Sequence, residues 1–140
     1  MPVPAVARDK LALLAVPLCA LALAGCGTTT STTGFKGEKH EVAQAIANLQ
    51  SNATSGEEAK ICANELAGSI VTRLGGSKGC EAAIKRQLTE VDSLEVTVES
   101  VDVTGTTATA TVKSVHEGKK KDSTIALVKE GKLWKVSSLG

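Results

Sequence analysis

The stretch Leu94-Glu-Val-Thr-Val-Glu-Ser-Val-Asp-Val-Thr-Gly-Thr-Thr-Ala-Thr-Ala-Thr-Val112 decides the fold. Leu94, Val96 and Val98 alternate with Glu95, Thr97 and Glu99, the period of two that belongs to a strand with one buried face. Val101 and Val103 resume the alternation in the opposite phase, which predicts a β-bulge near Glu99-Ser100, where one extra residue resets the faces. Thr104-Gly105-Thr106 makes a turn. A second strand runs from Thr107 to Val115, with Ala108, Ala110 and Val112 on its apolar side. The next turn holds His116-Glu117-Gly118 and the run Lys119-Lys120-Lys121. Strands over Ser123 to Lys129 and Leu133 to Leu139, joined by the short turn Glu130-Gly131, complete an antiparallel meander of four strands.

Upstream the period changes to that of a helix. Val42, Ile46, Leu49 and Ala53 fall on one face of a first helix. Ser55-Gly56-Glu57-Glu58 fits a capping box that opens a second. Its stripe is Cys62, Leu66, Ile70 and Leu74, widened by Ala59, Ala63, Ala67 and Val71, and Gly75-Gly76 ends it. A third helix carries Cys80, Ile84, Leu88 and Val91 inward, with Glu81, Lys85 and Arg86 outward. The glycine-rich run Gly75-Gly76-Ser77-Lys78-Gly79 follows a helix and lacks the P-loop pattern, so it reads as a linker. Three helices followed by a curved meander is the order of an α+β domain whose helices cover one face of its sheet.

Two runs, Val96 to Val112 and Ile125-Ala-Leu-Val-Lys-Glu-Gly-Lys-Leu-Trp-Lys-Val136, resemble the sheet of the NTF2-like (cystatin-like) superfamily, especially its small exported lipoproteins of actinobacteria. Cys62 and Cys80 resemble a cysteine pair seen there. The resemblance spans residues 38–140 and implies a cone in which the sheet wraps the helices and encloses a pocket. It does not choose an activity, because such folds include isomerases, dehydratases, ligand binders and interaction modules. Members that resemble ketosteroid isomerase use a buried carboxylate base with a tyrosine or protonated acid as oxyanion donor. This chain has no tyrosine. Its strand-region acids, Glu95, Glu99, Asp102, Glu117, Asp122 and Glu130, fall mostly on polar-phase or turn positions. His40 and His116 have no partner at metal-ligand spacing. The sequence therefore assigns no catalytic residue, no metal and no cofactor.

The amino terminus carries a second resemblance. Leu23-Ala24-Gly25-Cys26 is similar to a bacterial lipobox, and before it stand the charged Arg8 and Lys10 and the apolar run Leu11 to Ala22, the order of a signal peptide. An uncleaved membrane span would need about 20 apolar residues, and this run contains Pro17. The resemblance implies that residues 1–25 are removed and that Cys26 becomes a diacylated amino terminus. The protein would then sit at the extracytoplasmic face of the cell membrane. Residues 26–37, small and polar from Gly27 to Gly37, read as a flexible tether, with Phe35 packing against the edge of the domain.

The 140 residues hold 16 basic and 15 acidic side chains, and loss of Arg8, Lys10 and Asp9 with the signal leaves 14 of each. Such a balance gives no field that favours nucleic acid. Of four cysteines, Cys19 leaves with the signal and Cys26 takes lipid. Cys62 and Cys80 remain in a compartment that permits disulfides. A bond between them closes 18 positions and adds about 3 kcal/mol in the chain-entropy treatment. Two reduced buried thiols, or a reactive Cys80 near a helix start, are the other readings. Lys119-Lys120-Lys121 reads as a solvated hairpin tip that blocks edge pairing, with anionic headgroups or an acidic partner as alternatives. Trp134 is the candidate pocket residue, although a lone tryptophan in a last strand also serves as a core anchor. The expected function is that of a lipid-anchored envelope lipoprotein with a non-catalytic domain, binding another envelope protein or an apolar small molecule. The alternative is an NTF2-like enzyme of isomerase or dehydratase type.

Overall fold

The computed structural model describes residues 30–90 and 95–139, apart from the side chain of His116. The expected signal peptide 1–25, the lipid acceptor Cys26, Val91 of the third stripe and Leu94 of the first strand lie outside the described residues.

Helix α1, Glu38–Thr54, begins after Gly37 and carries Glu38 and Glu41 in its first turn, where the helix dipole favours acids. Its expected stripe faces the core: Val42 and Ile46 are buried, and Leu49 and Ala53 pack against the same cluster. Ser55 closes this helix, its N–H bonding to Ser51 O at 3.0 Å. It therefore does not open the next one as a capping box would. Helix α2, Glu58–Lys60, starts after Glu57 without a side-chain cap and runs into a π-helical segment, Ile61–Glu65. Helix α3 is Gly68–Arg73 and helix α4 is Gly76–Thr89.

The second expected helix is thus broken. Leu66 and Ala67 are extended. Leu66 forms a parallel bridge with Val136, and the Ala67 N–H donates to Val136 O at 2.8 Å. Pairing with the last strand satisfies backbone groups that a continuous helix would have used internally. The preceding π turn, with Leu66 N–H on Ile61 O at 3.0 Å, re-phases the face. Ile61 joins Cys62 and Leu66 in the core, while Ala59, Ala63 and Leu74 are exposed. Gly75, in the left-handed region, caps α4, so Gly76 to Gly79 form its first turn and not a linker. A Cβ on Gly79 would collide with the carbonyl of Leu74, which is why only glycine fits there.

The sheet is the expected meander in the order β1-β2-β3-β4, with β1 Glu95–Thr104, β2 Thr107–His116, β3 Lys119–Glu130 and β4 Leu133–Leu139. Val98 pairs with Val112 and Ser100 with Thr111, which leaves Glu99 as the extra residue of the bulge. A second register shift lies opposite Ala126 and Leu127 in β4. Bulges of this kind bend strands and let a sheet curve around what it covers. The turn between β2 and β3 is only Glu117-Gly118, both at positive φ (50° and 74°) as a tight primed hairpin requires. Lys119 to Lys121 consequently extend β3 against His116 to Ser114 and do not form part of the turn.

The core lies between the inner face of this sheet and α1, the π segment and α4, and contains Ile46, Ile61, Cys80, Val112, Leu127 and Val136. Cys62 and Cys80 are joined by a disulfide, with Cα atoms 6.0 Å apart, tying the π segment to the first turns of α4. Among the described residues no helix is long and apolar enough to cross a membrane.

Candidate functional site

Among the described residues, the curved sheet and the helices leave a hollow on each side of α1. The apolar one, of about 300 Å³, opens between α1, α4 and the β1–β3 end of the sheet. Positions 46, 49, 50 and 53 of α1, one face by helical spacing, form one wall. Ile84, Gln87 and Leu88, one turn apart on α4, form another, and Val96, Val112 and Ile125 form the floor. Ile61 and Leu66 close the deep end because the π turn moves both inward. The rim is Ser114, Ser123, Thr124 and Leu139, of which Leu139 is two-thirds exposed.

No carboxylate, imidazole, ammonium or thiol is among the described residues that line this cavity. Its polar groups are hydroxyls at the rim and the amides of Gln50 and Gln87. Gln50 is 2% exposed and hydrogen-bonds to the hydroxyl of Thr30. The Thr30 hydroxyl also reaches Val96 O at 2.9 Å. The segment expected as tether is therefore fastened to the domain from Thr30 onward, at the edge of the cavity, and Phe35 packs against the core as anticipated.

The second hollow, about 630 Å³ and more open, lies between α1, the π segment and the β3–β4 turn. Its walls are polar: His40, Glu41, Gln44, Asn48, Asn64, Glu65 and Lys132. Trp134, the candidate pocket residue, lines this hollow and not the apolar cavity. Strand alternation puts Trp134 and Val136 on one face, but α1 crosses that face and separates the tryptophan from the cavity. The ring is 3% exposed, so it serves the core. Its Nε1 has no hydrogen-bond partner, and Lys129 Nζ lies 5.5 Å from the ring centroid. Lys129 also pairs with Glu38 at 2.8 Å, which fastens the start of α1 to β3 and holds the lysine above its usual value, chiefly through that hydrogen bond.

Glu65 is a buried acid outside the candidates that the sequence offers. Burial, at 6% exposure, pushes its carboxyl above the ordinary value of 4.5, against the opposing pull of a hydrogen bond from Asn52 at 3.1 Å and of the Lys135 charge. Its signal was its position three residues after Cys62, on the same helical face. The acids that were singled out behave differently. Glu99 pairs with Lys113 at 2.6 Å, Asp102 is exposed, and Glu130 accepts the N–H of Gly68 at 3.0 Å. Glu95, Glu117 and Asp122 are exposed. Among the described residues no three His, Cys, Asp or Glu side chains converge as a metal site would require.

No protein-family model matches the sequence, and no curated protein matches it. Among solved structures, a designed NTF2-like protein, a variant of Rd1NTF2_05 with five substitutions, is similar to this chain with a TM-score of 0.52 and 14% identity. The likeness covers 74% of this chain and 97% of the designed one. The fold is therefore α+β and NTF2-like, with four α-helices against a four-stranded antiparallel sheet among the described residues.

Proposed function

We propose that this chain is an exported lipoprotein, anchored through Cys26 at the extracytoplasmic face of the cell membrane, whose NTF2-like domain binds an apolar small molecule without catalysing a reaction. The observation that carries the binding reading is the cavity. It has the size of a small ligand site, about 300 Å³, and mostly aliphatic walls, with hydroxyls and the Gln87 amide at the margins and the Gln50 amide in the α1 wall. Such a lining rewards burial of hydrocarbon and offers no base, acid or nucleophile to a reacting centre. An envelope protein as partner has weaker support, since among the described residues the exposed large apolar side chains are scattered, Leu74 at the end of α3 and Leu133 and Leu139 at opposite ends of β4.

The test is a thermal-shift titration of the full mature chain with an apolar fluorescent probe such as N-phenyl-1-naphthylamine. Saturation at 100 times the dissociation constant adds about 2.7 kcal/mol to stability, a shift of several degrees. Ala53→Phe, which fills the cavity from the α1 wall, should abolish the shift while leaving the unliganded protein folded. A probe that stabilises Ala53→Phe equally refutes the site. The anchor is tested by mass spectrometry of the membrane fraction, which should find an acylated Cys26 peptide as the amino terminus and nothing from residues 1–25; an unmodified Cys26 refutes it.

One observation favours the enzymatic alternative: Glu65 is a buried carboxyl with a raised pKa beside an amide donor, at the polar hollow. That combination suits a general base or acid. Under the alternative, Glu65→Gln would abolish turnover of a compound bound at the polar hollow.

A further inference from the structure

The docking point of Thr30, the rim of the apolar cavity and the lysine run lie at one end of the sheet. The Thr30 hydroxyl donates to Val96 O; Val96 pairs with Ser114, and Ser114 with Lys121. These residues form a single row across three adjacent strands, about 10 Å from β1 to β3 at 4.8 Å per strand. Val96 and Ser114 line the cavity, and Thr124 on its rim follows Lys121 by three residues, about 10 Å along β3. Lys119 to Lys121 are exposed. They lie beyond the last residue of β3 that pairs with β4, Ile125, so that their other edge carries no strand among the described residues. Exposure rises from Ile46 and Ile61 at the deep end to Gln87, Thr124 and Leu139, which puts the mouth at this same end. Cys26 precedes Thr30 by four residues and can stand at most about 14 Å from it.

We propose that this end of the domain faces the membrane and that the cavity takes one acyl chain of an anionic phospholipid directly from the bilayer. The proposal rests on the reading of Cys26 as the lipid anchor and of the cavity as an apolar ligand site. The short path from Cys26 to Thr30 brings the mouth to the membrane surface. The three lysines meet phosphate headgroups there, each favouring an anionic surface by roughly fivefold. At about 30 Å³ for a water-sized group, the cavity holds roughly ten methylenes, part of one chain and not two. An anionic head held by lysines with its chain in the adjacent hollow accounts for an apolar cavity that carries its positive charge only outside the rim.

The acylated mature protein, incorporated into phosphatidylglycerol vesicles that carry a trace of the same lipid with a mid-chain diazirine, is photolysed and the labelled peptides are mapped. Label is expected on Leu49, Ile84 and Leu88. It should fall at least fivefold in phosphatidylcholine vesicles labelled likewise, in the triple variant Lys119→Gln, Lys120→Gln, Lys121→Gln, and in Thr30→Val, and should vanish in Ala53→Phe. Melting curves confirm that each variant is folded. Label confined to residues 26–37, cavity labelling that ignores headgroup charge and the lysines, or labelling only from a diazirine on the protein's own Cys26 chains overturns the proposal. If the soluble probe fills the cavity but vesicle lipid does not label it, the bilayer route fails and apolar binding stands; if neither occupies it, both fail.

Discussion

Replacing both Cys62 and Cys80 by alanine should cost about 3 kcal/mol. The bond joins buried residues on two helical segments whose Cα atoms are 6.0 Å apart, and it closes 18 positions of chain. Removing that link returns loop entropy to the unfolded state, about 3 kcal/mol at this length in the chain-entropy treatment. For a domain near 100 residues, each kcal/mol shifts the midpoint by roughly 4–8 °C, so the variant should melt at least about 12 °C lower. Urea unfolding of the mature chain, with and without reductant, provides the assay. Reductant should lower the wild-type midpoint to near that of the double-alanine variant and leave the variant unchanged. Equal midpoints for wild type and variant in oxidising buffer, or two free thiols titrated in unfolded unreduced protein, would refute the reasoning.

Glu65→Gln should stabilise the protein relative to wild type as pH rises. The folded state holds the Glu65 proton above the ordinary value of 4.5, so stability falls as pH climbs from that value through the raised folded one. The amide removes this loss while keeping an oxygen for Asn52. Urea midpoints of both proteins between pH 4 and pH 7 check it, and a variant weaker than wild type at pH 7 sinks it. Gly79→Ala should destabilise by about 1–3 kcal/mol, because its Cβ meets the fixed carbonyl of Leu74; an unchanged midpoint would show that the α3–α4 junction gives way easily.

The sheet was legible in the sequence because its signals are local. Alternation set the strands, the phase change at Glu99 located the bulge, and glycines marked the turns. The helical half was legible only in part. Nothing from Ile61 to Ala67 interrupts a helical pattern locally. The break there comes from pairing with Val136, some 70 residues away, which no short window contains. The lysine run lies in β3 and not in the expected turn for the opposite reason: Glu117 adopts a positive φ that non-glycine residues seldom take, so the turn is shorter than composition implies. The candidate cavity was predictable as aliphatic, since the alternating Val, Ile and Ala must face inward. Its location was not, because the side of α1 on which Trp134 falls depends on how that helix crosses the sheet. Glu65 shares the face of Cys62 by helical spacing, but the depth of its burial follows from the π turn.

Apolar binding in the cavity is tested most directly by a crystal structure of the mature protein grown with a medium-chain fatty acid. Continuous density for the chain is expected between Leu49 of α1, Ile84 and Leu88 of α4 and Val112 of the sheet, with the carboxylate at the rim near Ser114 and Ser123. A cavity closed by these same side chains, or a ligand bound only in the hollow beside Glu65 and Trp134, would contradict it.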